Sequence, residues 1–348
     1  MNTLENIYID NNSRIPKYKQ VMDSILKSIN TGNLQLGEKI PSINELSEEY
    51  LLSRDTVEKA YGLLKKRRII ESVRGKGYYI AKTDLAIKSN VLFLINKLST
   101  YKMRIFNAFV NKLGVNANVD LDIYHCEPLV FSKILEKKKN QYDHYVIMPH
   151  FKNESMQHMG CTDDILKAIL SIPNGKLIVL DRNLKSLSRE AGRIYQDFTE
   201  DIYNALTKGF EKIEKYRKII LVYPNRAVYP YPKGIVTGFK RFCIQHDLDY
   251  EILDEIYESM ELQHQDLYII IEESDLVNLV KQIRDKQYKL GEDIGIISYN
   301  DTPLKELLGI TVMSTNFKKM GEEAASMILN NKRVEIKNEF NFIERFSA

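Results

Sequence analysis

The spacing of apolar positions changes twice along the chain, and the changes divide it. From Pro16 onward Val21, Met22, Ile25, Leu26 and Ile29 recur at helical spacing, the stripe of an amphipathic helix that ends at Gly32. Leu46 and Tyr50 carry a second helix behind Ser42, a good N-cap residue with Glu45 three positions on, the spacing of a capping box. A third helix opens at Ser53 and turns Val57, Ala60, Tyr61 and Leu64 inward, which sends Arg54, Asp55, Glu58 and Lys59 elsewhere. After Arg68 the period shortens. "IIESVRGKGYYI" predicts two short strands around a turn at 74–77. Three helices and a two-stranded wing describe a winged helix-turn-helix.

Beyond "AKTDLAIKSN", which reads as a linker, the pattern becomes continuous apolar runs alternating with amphipathic ones. The strand-like runs are 90–96, 119–126, 144–149, 176–181, 218–224, 266–272, 294–300 and 310–315. The helix-like runs are 105–113, 132–139, 162–171, 199–215, 233–247, 275–286 and 318–330. Continuously apolar strands need both faces covered, so the alternation predicts parallel sheets between helices, in two doubly wound lobes. The expected division is a winged helix domain at 1–82, a linker at 83–90 and a two-lobed α/β effector domain at 91–348.

Charge sharpens this division. The 348 residues carry a net charge of only +3, but residues 1–83 hold 14 Lys and Arg against 10 Asp and Glu, and the remainder 36 against 37. Six basic residues fall within positions 65–76. A small basic head on a neutral body suits a polyanionic partner. A helix N-terminus and a glycine turn are both shapes that approach a duplex closely. The run 65–68 taken alone is equally a solvated helix end. Three scattered cysteines, no signal peptide and no long apolar run make the expected location the cytoplasm, with no membrane partner.

The head resembles the GntR family of bacterial repressors. Leu34, Gly37, Ile40, Pro41, Ser42, Glu45, Leu46, Ser53, Arg54, Thr56, Val57, Gly75 and Gly77 meet the family pattern, whereas Asn44 and Glu58 stand where arginines are frequent. The resemblance implies double-stranded operator DNA as partner, and Ser42, Asn44, Ser53, Arg54, Thr56, Gly75 and Lys76 as contacts.

The body resembles the sugar-sensing domain of LacI-type regulators, which shares the periplasmic-binding-protein fold. The matching stretches are "KLIVLDRN", "IYQDF", "KGIVTGFKRF", "LGEDIGIISYNDTPL" and "GITVMSTNFKKMGEEAASMIL". Ligands of such sheets bind at the carboxyl ends of strands, where a sugar needs aromatic plates and polar hydroxyl partners. Candidates on that basis are Lys97, Ser99, Tyr101, His150, Phe151, Asp181, Arg182, Ser274, Asp275, Asn300 and Phe317. The resemblance implies an aspartate where Asn300 stands and an arginine where Ile235 stands, with Lys233 or Arg226 as substitutes. Asp181 and Arg182 could equally form pairs across the lobe interface, Phe317 could belong to the core, and His150 could be structural.

The whole organisation resembles repressors of arabinose and fucose utilisation. It implies a homodimeric repressor responding to a monosaccharide such as L-fucose or L-arabinose, or to a sugar phosphate. The six histidines are isolated, and no phosphate loop, nucleophile elbow or dinucleotide fingerprint occurs, so neither a metal, a cofactor nor catalysis is expected. The rival class is an enzyme-like ligand-binding domain fused to a DNA-binding head.

Overall fold

The computed structural model describes residues 7–10, 13–82, 88–225 and 227–348, which divide into two compact units, Met1–Lys88 and Ser89–Ala348. In the first, α1 (Lys17–Asn30) buries Val21, Ile25 and Ile29. Strand β1 (Lys39–Ile40) leads into α2 (Ile43–Glu49). The Ser42 hydroxyl accepts from the Glu45 amide at 3.2 Å and the Glu45 carboxylate accepts from the Ser42 amide at 2.6 Å, a complete capping box. Helix α3 (Arg54–Lys66) is capped by Ser53 and buries Val57, Ala60, Tyr61 and Leu64. The wing is β2 (Ile70–Val73) with β3 (Gly77–Ile80). It differs from the expected two-stranded wing in having a third strand, since Lys39 and Ile40 pair with Tyr79 and Tyr78. Two residues are too few to show a period, so sequence could not announce this strand.

The body opens with β4 (Ser89–Ile95), α4 (Thr100–Leu113), β5 (Ala117–Ile123), α5 (Pro128–Lys138), β6 (His144–Ile147), the hairpin β7 (Phe151–Lys152) and β8 (His158–Met159), α6 (Asp163–Leu170), β9 (Leu177–Arg182) and β10 (Gly192–Gln196). It continues with α7 (Phe198–Lys208), α8 (Phe210–Ile213), β11 (Lys218–Val222), α9 (Gly234–Gln245), β12 (Tyr250–Leu253), β13 (Asp266–Ile270), α10 (Glu273–Asp285), β14 (Ile294–Tyr299), α11 (Pro303–Leu307) and β15 (Thr311–Thr315). The chain then returns through α12 (Phe317–Leu329) and β16 (Glu335–Lys337) to the first lobe, and through β17 (Phe340–Ile343) to the second. The expected linker at 83–90 falls partly outside the described residues, at 83–87, and its last two residues already belong to β4.

Each lobe is a six-stranded sheet. The orders are β16-β10-β9-β6-β4-β5, parallel throughout, and β12-β11-β13-β14-β15-β17, in which only β17 runs antiparallel. The central strands are buried on both faces: the last five residues of β4 and all of β13 and β15. That is why they read as unbroken apolar runs. The helix expected at 199–215 is two helices meeting at Gly209. Strands β10, β12, β16 and β17 also lay outside the expected set: β12, β16 and β17 are short and partly exposed, and β10, though largely buried, mixes Gly192, Arg193 and Gln196 with its apolar residues, so none gives a continuous apolar run. Helix α9 crosses α7 closely at Gly238, where a Cβ would run into the carbonyl of Thr199.

Three segments cross between the lobes, at 196–198, 315–317 and 337–340. Asn338 ties them together. Its amide donates to the Tyr195 carbonyl at 2.8 Å, and its side chain donates to Thr315 Oγ1 at 3.2 Å and to the Asn316 carbonyl at 3.1 Å. In both lobes strand order reverses beside the first strand, β4 or β11. The carboxyl ends there form the crevice that doubly wound sheets use for ligands.

Candidate functional site

In the head, Asn44 stands exposed in the first turn of α2 and Arg54 in the first turn of α3. Thr56 is half-buried, its Oγ1 2.7 Å from Ser53 Oγ. In the wing the Lys76 amide donates to the Val73 carbonyl at 2.9 Å, Lys76 is exposed, and Gly75 and Gly77 take φ of +72° and +111°. Those left-handed angles let the turn close without Cβ strain. Lys65, Lys66, Arg67 and Arg68 are all exposed beside it. An exposed helix end that carries Arg54 and a cationic hairpin therefore sit on one small fold.

In the body, a cavity of about 310 Å³ opens between the two sheets. The first lobe lines it with the β4–α4 loop (Lys97, Ser99), with Tyr101 in the first turn of α4, with His150 after β6, and with Asp181 at the end of β9. The second lobe lines it with Tyr231 after β11, Glu272 and Glu273 after β13, and Asn300 after β14. Gln196, Phe198 and Phe317 come from the crossing segments. Tyr101 and Phe317 stack, with ring centroids 5.3 Å apart and 25° between planes, and give the cavity an aromatic plate.

Its polar groups form two sets. The first is buried and mutually satisfied. Asp181, only 4% exposed, accepts from Lys102 Nζ, from His150 Nε2 at 3.1 Å and from Gln196 Nε2. Burial opposes its charge, but the Lys102 ammonium and the His150 hydrogen bond hold it well below the usual carboxylate range. Burial likewise pushes His150 down, so it is neutral, donates from Nε2 and accepts at Nδ1 from His158 Nε2, 3.1 Å away. The second set bridges the lobes. The Tyr101 hydroxyl donates to Glu273 at 3.3 Å and accepts from Lys305 at 3.2 Å, and burial pushes Lys305 down to about 8. Beside that bridge, within the second lobe, the Tyr231 hydroxyl donates to Glu272 at 2.8 Å. Asn96 Oδ1 and the Tyr299 hydroxyl, both buried at the cavity, have no hydrogen-bond partner among the described residues. Buried polar atoms left in this way are ready for a ligand's own polar groups.

Residues 17–80 match the family described as bacterial regulatory proteins, gntR family, and residues 213–340 match the periplasmic binding protein-like domain. The chain joins a gntR-family head to a periplasmic-binding-protein-like body. It is similar to the HTH-type transcriptional repressor YtrA of Bacillus subtilis, 39% identical over 82 residues, which are 23% of this chain and 63% of that protein. It is also similar to the arabinose metabolism transcriptional repressor of Geobacillus stearothermophilus, 35% identical over 68 residues, 20% of this chain and 19% of that one. The chain thus spans less than two thirds of either relative. Among solved structures, a LacI family transcriptional regulator from Lactobacillus casei with bound glucose superposes with a TM-score of 0.57 at 14% identity, covering 74% of this chain and 99% of that one. The trehalose repressor from Escherichia coli gives 0.58 at 12% identity, covering 73% and 99%. At such identities the likeness is one of fold.

Within this periplasmic-binding-protein-like body, the structure brings Lys97, Ser99, Tyr101, His150, Asp181, Asn300 and Phe317 to the cavity and takes five other expected residues elsewhere. Phe151 is fully buried against Tyr124 and Phe131, because the hairpin after β6 folds it into the first-lobe core. Arg182 turns back to the Met159 carbonyl at 3.4 Å. Lys233 is exposed at the start of α9, and Ile235 lines the wall in its place. Arg226 lies outside the described residues. Ser274 is exposed, and Asp275 accepts from the Ile256 amide at 2.9 Å, pinning the loop between β12 and β13. The last two miss for one reason. Strand β13 ends at Ile270, two residues before the expected boundary, so the strand-end carboxylates are Glu272 and Glu273. Tyr231 gave no signal, since its loop, rich in Tyr and Pro, has no period.

Proposed function

We propose that this protein is a sequence-specific DNA-binding transcriptional repressor whose operator affinity is set by a small carbohydrate held between the two lobes, such as L-arabinose, L-fucose or a sugar phosphate. The observation that carries the reading is the cavity itself. It lies at the carboxyl ends of both sheets and combines the Tyr101–Phe317 plate with unpartnered buried polar atoms, the two things a sugar ring needs. The head supports the DNA half through Ser42, Asn44, Ser53, Arg54, Thr56, Gly75 and Lys76. Two heads on a homodimer would read two half-sites, since a single small domain gives limited affinity.

Linkage makes the reading testable. If sugar lowers operator affinity, operator must lower sugar affinity by the same factor, commonly about 5–150-fold. A thermal-shift screen of monosaccharides and sugar phosphates finds the effector, because a ligand of the folded state raises the midpoint. Titrating that sugar into free protein and into the protein–operator complex then measures the coupling. Equal affinities in the two titrations overturn the repressor reading.

A further inference from the structure

The Asp181 set is closed on itself, but a second pair of charges at the cavity is not. Lys97, at the end of β4, has no carboxylate within ion-pair distance among the described residues. Its ammonium lies 4.8 Å from the centre of the Tyr231 ring and 5.5 Å from that of Tyr229. Glu272, on the opposite lobe, is held by the Tyr231 hydroxyl at 2.8 Å. Tyr231 thus meets an ammonium with its ring and a carboxylate with its hydroxyl. It is itself fixed: Pro230 and Pro232 flank it, and the Tyr223 hydroxyl donates to its carbonyl at 2.7 Å. Asn96 Oδ1, the unpartnered acceptor, belongs to the residue next to Lys97.

We propose that Lys97 and Glu272 form a clamp for neighbouring hydroxyl groups of the effector, with Tyr231 setting the spacing; this rests on the carbohydrate reading above. An ammonium can only donate and a carboxylate can only accept, whereas a hydroxyl does both. One hydroxyl therefore accepts from Lys97 while its neighbour donates to Glu272, and Asn96 Oδ1 is available to a third donor. Burial holds Lys97 below the usual lysine range despite the Glu272 charge. A ligand oxygen supplies the partner that the protein withholds. An effector lacking either hydroxyl, or having one inverted, leaves a half-buried charge without its ligand partner and is rejected, which is how polar sites discriminate most strongly.

The test uses the full chain and calorimetric titration with L-arabinose, L-fucose and D-glucose, each beside its epimers and monodeoxy analogues. Lys97→Met keeps the aliphatic stem, and Glu272→Gln keeps an acceptor for Tyr231. Each should weaken the bound sugar by about tenfold to a hundredfold and bring the parent sugar and one deoxy analogue to nearly equal affinity. Tyr231→Phe should blur the same discrimination with a smaller loss. Loss of discrimination is the decisive readout, because a merely structural defect weakens every sugar alike. If the wild-type protein binds a sugar and both charge variants keep its affinity and its discrimination, the clamp is wrong while the carbohydrate reading stands. If the wild-type protein binds neither a member of this panel nor any monosaccharide or sugar phosphate of the thermal-shift screen, the carbohydrate reading and the clamp fall together.

Discussion

In the head, Arg54 and Lys76 stand exposed on a helix turn and a hairpin turn, each set by bonds within three residues: Ser53 to Thr56, and Lys76 to Val73. In the cavity, Asp181 is held by Lys102, His150 and Gln196, which lie 79, 31 and 15 residues away. The head's functional groups are carried on elements that would form without them. The cavity's inner groups are part of what holds the lobe together. Changing a head residue should therefore alter DNA affinity at nearly constant stability, and changing an inner cavity residue should alter stability first.

The sharpest way to break this contrast is Asp181→Ala. It leaves the Lys102 ammonium, 8% exposed, without its counter-charge. Removing one partner of a buried pair costs about 3–5 kcal/mol. Urea unfolding at neutral pH should show a loss of that order in the body's transition. Because the folded-state carboxyl is depressed, the stability it contributes is present above about pH 4, the unfolded value, and is lost as pH falls further. Asp181→Asn should flatten the acid limb there. A loss below about 1 kcal/mol for Asp181→Ala would place this cluster in the same class as a surface pair.

On the head's side, Arg54→Ala should lose about 1–3 kcal/mol of discrimination between operator and random DNA. Lys76→Ala should weaken both DNAs alike and reduce the salt slope by about 1. Both should keep the unfolding free energy within about 0.5 kcal/mol, as exposed substitutions do. Fluorescence anisotropy across a salt series with urea melts in parallel measures all four quantities. A large stability loss at Arg54 would erase the contrast.

Acid response separates the two regions as well, since all six histidines lie in the body. Burial, then His150 and Arg182, push His158 down to about 3, against about 6.5 in an unfolded chain. The fold prefers the neutral ring, so the stability is present above pH 6.5 and erodes as pH falls toward 3. At pH 5 the difference is on the order of 1–2 kcal/mol. Scanning calorimetry should show the body's midpoint falling between pH 7 and 5 while the head's stays level. His158→Asn should remove part of the fall. A head transition that falls in parallel would sink this assignment.

The same contrast explains what was legible in sequence. Capping Ser42 and Ser53, the inner stripe of α3 and the glycine turn are local signals, and all were readable within a dozen residues. The lobes were readable because their central strands are buried on both faces. The cavity was readable where a candidate stood at or just past the end of a continuous apolar run, as with Lys97, His150, Asp181 and Asn300. Glu272 was missed through a two-residue boundary error. Lys102, Gln196 and Tyr231 were missed because their roles exist only after distant segments meet. Sequence named Asp181 without showing that Lys102, His150 and Gln196 already occupy its oxygens.

The smallest expected effect tests a residue that straddles the contrast. The Ser42 hydroxyl accepts the Glu45 amide, yet Ser42 is also a candidate DNA contact. Ser42→Ala should cost about 0.5–2 kcal/mol of head stability through the lost cap, so weaker DNA binding in that variant would have two causes. Ser42→Asp separates them. Aspartate caps as well as serine, and its charge suits the amino end of α2, so the melting midpoint should hold. The same charge repels a nearby phosphate, so operator and random DNA should both bind less tightly, most visibly at low salt where screening is weak. If Ser42→Asp melts like the wild type and binds DNA like it at every salt concentration, Ser42 only holds α2 in place. The duplex is then met by Asn44, Arg54 and the wing, and the phosphate contact moves from the capping box to the hairpin.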